Sequence, residues 1–109
     1  MDPGYNINLA GWAIAFVSMA GLEDRQVVTL EQLNHCCKLA RNTVAASEKT
    51  AKNSDFLSRV CSQLGKLCEV KGEYSSAEEL YSFSIDLAVR GKALGGKIQV
   101  GRHSNQSIE

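Results

Sequence analysis

The chain has 109 residues, 12 lysines and arginines against 12 aspartates and glutamates, 44% hydrophobic residues and only 6% aromatic ones. That length holds one small domain and cannot complete a dinucleotide-binding fold, a TIM barrel or a kinase, while one proline, nine glycines and this apolar fraction exclude a collagen-like or wholly disordered chain. Zero net charge supplies no field toward a polyanion, so no nucleic-acid partner is expected, and it is compatible with self-association.

The first helix is expected over residues 7–20, with Asn6 or Asn8 as its cap. Leu9, Ala13, Phe16, Val17 and Ala20 make one apolar stripe, Trp12 and Met19 widen it, and the segment carries no charge. A helix this uniformly apolar is either covered on several sides or waits for a partner. Trp12, Phe16 and Met19 are therefore candidate interface residues, since aromatic residues and methionine are enriched in interface cores. The alternative is a monomeric bundle in which the second and fourth helices cover both sides. Leu9 to Leu22 falls short of the roughly 20 residues that span a bilayer, and Met1-Asp2-Pro3 brings a negative charge where a secretory signal carries positive ones. No membrane association is expected, and the four cysteines are expected as free thiols in a reducing cytoplasm. Gly21 offers a left-handed stop before the solvated turn Glu23-Asp24-Arg25.

The second helix, expected over 30–51, has the strongest start signal. Thr29 with Gln32 forms a capping box, and Val28 with Leu33 a hydrophobic staple. Leu33, Cys36, Cys37, Ala40 and Val44 keep helical spacing after it. Val27-Val28-Thr29 alone could seed a strand, but no second alternating run exists to pair with it.

The third helix is expected over 55–70, capped by Asn53 or Ser54, with Leu57, Val60, Cys61, Leu64, Leu67 and Cys68 at steps of three and four. Gly65 costs about 1 kcal/mol relative to alanine in a helix, so its presence there points to a close helix crossing. Gly72 follows at the turn, where a positive φ is cheapest for glycine. The fourth helix is expected over 76–93, started by Ser75 or Ser76 with Glu78 and Glu79, its stripe formed by Ala77, Leu80, Tyr81, Ser84, Ile85 and Ala88. Residues 1–94 then make a single helical domain, and 95–109 a flexible C-terminal tail. The expected class is all-α: antiparallel helices forming about two stacked helical hairpins.

Two soft internal echoes accompany this pattern, Ala45–Ala51 with Leu87–Ala93 and Leu39, Val44 with Leu80, Ile85. Cys61, Leu64, Gly65, Cys68, Gly72, Tyr74, Ala77 and Tyr81 also fall, in order and spacing, on the pattern of a tetratricopeptide repeat. The segment 58–91 resembles that family, in the extended variant of kinesin light chains, although Cys61 stands where an aromatic residue is usual and the closing proline is absent. Over residues 7–51 the likeness lacks the Leu-Gly pair and the Gly-x-Tyr turn. The resemblance implies stacked helical hairpins whose first helices line a concave surface that binds a protein or peptide partner. It places Arg59, Ser62, Gln63 and Lys66 on that surface as candidate partner-binding residues. Arg59 and Lys66 could receive acidic groups; a plain solvated helix face is the alternative.

Candidate chemistry is thin. His35-Cys36-Cys37 with Cys61 and Cys68 invites a zinc site, but adjacent helical residues point about 100° apart, and residues seven apart are separated by about 10 Å along the axis. Core thiols account for them better, and no metal ligands are assigned. His35 and Cys36 do not face each other on a helix, His103 has no evident carboxylate orienter, and Glu78-Glu79 suit a helix start. No phosphate loop, dinucleotide fingerprint or HExxH motif occurs. No catalytic residue and no cofactor are expected. The expectation is a non-enzymatic protein–protein interaction module, acting as adaptor, small chaperone or regulatory subunit, present as a homo-oligomer or obligate hetero-complex. The alternative is a structural, self-associating helical-bundle subunit without a peptide groove.

Overall fold

The computed structural model describes residues 7–47 and 50–103, with side chains through residue 93. Among these residues there are four helices, α1 (Ile7–Glu23), α2 (Leu30–Ala46), α3 (Ala51–Val70) and α4 (Tyr74–His103), one 3-10 turn at Arg25–Val27, and no strand. The fold is all-α, built of antiparallel helical hairpins. No helix among the described residues is long and apolar enough to cross a membrane.

The α3–α4 hairpin forms the centre. Small residues let the two helices approach: a Cβ on buried Gly65 would lie 2.9 Å from Cε1 of Tyr81, and one on Gly91 would lie 3.4 Å from Cβ of Ser54. Between these points Ser58 Oγ donates to the Ser84 carbonyl at 2.9 Å, and Ser84 Oγ donates back to the Ser58 carbonyl at 2.8 Å. Leu57, Leu64, Leu80 and Leu87 fill the core on either side. Ala77, Leu80, Tyr81 and Ser84 face inward or sit at the boundary, whereas Ile85 and Ala88 are exposed and Leu87 takes the buried place instead. The small residues Ala77, Ser84 and Gly91 recur every seven positions and set this phase. Gly72, at φ +83°, makes the turn between the helices. α4 begins at Tyr74, ahead of the expected Ser75 or Ser76, and continues past Ala93 to His103, across much of the segment 95–109. That stretch has no proline, and extending a formed helix costs less than starting one. Residues 104–109 lie outside the described residues.

The capping box of α2 is formed, with Thr29 Oγ accepting from the Gln32 amide at 3.1 Å and Gln32 Oε1 accepting from the Thr29 amide at 2.8 Å. Val28 and Leu33 are both buried. α2 ends at Ala46, before the expected residue 51, because Ser47 is already extended. Thr50 then accepts from the Asn53 amide at 3.1 Å and starts α3 at Ala51, so neither Asn53 nor Ser54 is the cap. Lys71 ties the two inter-helix turns together, donating from Nζ to the carbonyls of Arg25 at 2.8 Å and Val28 at 2.6 Å.

α1 corrects its expected orientation. Its buried residues are Gly11, Ile14, Ala15, Ser18 and Gly21, whereas Leu9, Ala13 and Phe16 are exposed. A helix apolar all round gives periodicity nothing to select, and side-chain size decides instead. Gly11 lies against the Phe56 ring, and a Cβ on Gly21 would sit 2.7 Å from Cδ1 of Leu67, so glycine at these two points lets α1 dock closely on α3 while Ile14 between them fills the core. Gly21 is thus a packing position inside the helix rather than its left-handed stop, and α1 continues to Glu23. The order of these contacts makes α1 and α3 parallel neighbours.

Candidate protein interface

With Gly11, Ile14, Ala15, Ser18 and Gly21 turned inward, α1 presents most of its other large side chains to solvent. Leu9 is 69% exposed, Trp12 62%, Phe16 71% and Met19 48%. Trp12 leans toward α3, its ring centroid 5.7 Å from that of Phe56 and the planes tilted by 48°. Between α1 and α3 runs an open groove of about 670 Å³, with Trp12, Ala15, Met19 and Phe56 giving it an apolar floor and Arg59, Ser62 and Gln63 a polar wall. One groove therefore brings together Trp12 and Met19 with Arg59, Ser62 and Gln63. Lys66 is exposed on α3 but does not line it, and Phe16 lies on the other side of α1.

Phe56 is the residue that sequence reasoning passed over, because the expected helix began at Asp55 and the core stripe at Leu57. A signal was present: Phe56 stands three and seven positions before Arg59 and Gln63, a helical spacing that puts it on their face. Arg59 also pairs with Asp55 at 2.9 Å, but both side chains are largely exposed. Such i, i+4 pairs contribute about 0.3–0.5 kcal/mol, so the guanidinium is readily recruited by another carboxylate.

Phe16, Val17 and Ala20 line a second cleft of about 550 Å³ against Val27, Val28 and Cys36, with Glu31, Gln32 and His35 on its α2 side. Elsewhere Arg41 on α2 holds Glu79 on α4, with Nε 3.0 Å from each carboxylate oxygen. This hydrogen bonding raises the arginine above its ordinary value. Tyr81 donates to Glu69 at 2.9 Å, and burial followed by this bond holds its phenol above the ordinary range. All four cysteines are free and buried. No group of three or more histidines, cysteines, aspartates or glutamates among the described residues could hold a metal ion. No protein-family model, curated protein or solved structure matches the chain.

Proposed function

We propose that this chain is a non-enzymatic protein–protein interaction module of tetratricopeptide-like hairpins, whose α1–α3 groove takes an amphipathic partner helix with acidic residues along one flank. The carrying observation is the groove itself, which joins the exposed, chargeless side of α1 to the Arg59, Ser62 and Gln63 wall of α3. α1 and α3 are the first helices of the two hairpins, the elements that the family resemblance assigns to the binding surface. Apolar side chains of the partner would fill the space over Trp12, Met19 and Phe56. Its acidic flank would meet Arg59 and, further along α3, Lys66. A second copy of the chain is the second reading, favoured by Leu9 and Phe16, which are exposed outside this groove.

Trp12 is the only tryptophan in the sequence, so its emission reports on the groove directly. Titration with helical peptides carrying an apolar stripe and an acidic flank should shift that emission to shorter wavelength and saturate, while the same compositions with the stripe scrambled should not. Arg59→Glu with Lys66→Glu should weaken binding about tenfold or more at low salt, a loss of about 1.4 kcal/mol, and leave thermal stability unchanged. Emission indifferent to every such peptide, or charge reversal without effect on a peptide that binds, would defeat this reading.

A further inference from the structure

Cys37 on α2 and Cys68 on α3 bring their sulfurs to 3.6 Å, with the two residues only 3% and 0% exposed. That is thiol–thiol contact, and a disulfide at about 2.05 Å needs a closer approach of about 1.5 Å. The pair occupies a place where α2 and α3 share little else. Cys36 points away along the α1–α2 cleft, and Cys61 stands two turns from Cys68 on the same helix, so neither competes in geometry for either sulfur.

We propose that Cys37 and Cys68 are a reversible dithiol–disulfide site, closed by hydrogen peroxide and reopened by a reducing dithiol. Cys37 is the attacking sulfur. The hydrogen bond shared with Cys68 holds its thiol below the ordinary range against the opposing effect of burial, with the Arg41 charge helping, while Cys68 is held strongly protonated. The Cys37 thiolate attacks one peroxide oxygen and the O–O bond breaks. The departing hydroxide takes up the proton that Cys37 released and leaves as water. Cys68 then attacks the sulfur of the sulfenic acid, the S–S bond forms as the S–O bond breaks, and the second oxygen leaves as water with the Cys68 proton. Two thiols are oxidised by two electrons in all, and the peroxide is reduced by the same two. The new bond ties α2 to α3 and restricts the unfolded chain between residues 37 and 68, so the oxidised form unfolds at higher temperature. The site stands on the cysteine geometry alone and is independent of any partner in the groove.

The test treats the full chain with hydrogen peroxide, then maps its cysteines by alkylation and peptide mass spectrometry. The expected product is an intramolecular Cys37–Cys68 disulfide, lighter by two hydrogens, with Cys36 and Cys61 still alkylated after denaturation. Its thermal midpoint should rise, and dithiothreitol should restore both the mass and the midpoint. Cys36→Ser and Cys61→Ser should still form the bond, and Cys37→Ser should not. Sulfinic or sulfonic acids without the Cys37–Cys68 peptide, a disulfide through Cys36 or between two chains, or four unmodified thiols would each overturn the proposal. Because the map is read on the unsubstituted protein, a variant that fails to fold does not blunt the test.

Discussion

Cys61 carries no hydrogen bond that would help it ionise, and burial alone pushes its thiol from the ordinary 9.0 up to about 12. The consequence for stability has a definite sign. Below pH 9 the thiol is neutral in both folded and unfolded chains, and its burial costs nothing electrostatic. Between the two values the unfolded chain releases the proton and the folded chain keeps it, so folding loses about 1.4 kcal/mol per pH unit from this one group. Cys36, Cys68 and Tyr81 are raised as well and steepen the same decline. Urea denaturation of the reduced protein at intervals from pH 8 to pH 11 should show stability falling as pH rises. In Cys61→Ala the fall should be shallower, starting from a slightly lower value at pH 8 because a small cavity remains. An equally steep fall in the variant would mean that Cys61 does not stay protonated in the fold.

Among the elements, the α3–α4 crossing shows how side-chain size rather than hydrophobicity sets contact. Gly65, Ser58 and Ser54 on α3 meet Tyr81, Ser84 and Gly91 on α4, and the paired serines satisfy their hydroxyls at the place where leucine would hold the helices apart. Gly65→Leu should overpack against the Tyr81 ring and cost about 1–3 kcal/mol. Chemical denaturation should show an earlier midpoint with an unchanged slope; an unchanged midpoint would remove Gly65 from the crossing. This crossing was legible in the sequence because a glycine in a good helix and an aligned Ala77 and Tyr81 have few other uses. The α2 cap was legible for a similar reason, Thr29 and Gln32 forming a local motif whose geometry owes nothing to the rest of the fold. Boundaries set by competition were not. Thr50 and Ser54 both suit a helix start, and only the packing of Ser54 against Gly91 shows that Ser54 lies inside α3. The α1 face was illegible because every side of that helix is apolar, and with it the groove, since Phe56 gains its place beside Trp12 only once Gly11 has turned toward α3.

At the scale of the whole molecule, the shortest dimension is 21 Å, about two helix diameters, so each helix can be covered on one side and must show another to solvent. For α2, α3 and α4 the outward side carries charges, but α1 has none to offer between Ile7 and Leu22. Its outer face therefore leaves Leu9, Trp12, Phe16, Met19 and Leu22 in water, against about 20–30 residues a side in a standard interface. Self-association through α1 alone would fall toward the weak end of that range, and the absence of charge removes any repulsion between two copies. Leu9 and Phe16 are the side chains to test, because they are the most exposed large apolar residues on α1 and stand outside the groove proposed for a partner helix. Light scattering of the unsubstituted protein should show a mass that rises from monomer with concentration. Leu9→Ser with Phe16→Ser should hold it at the monomer, with far-ultraviolet circular dichroism retained and stability within about 0.5 kcal/mol per exposed site. The Trp12 response to peptides should survive in that variant, since Trp12, Met19 and Phe56 are untouched. A chain that is monomeric at every concentration before substitution would rule out self-association at this face, and a variant that unfolds would place Leu9 or Phe16 in the core instead.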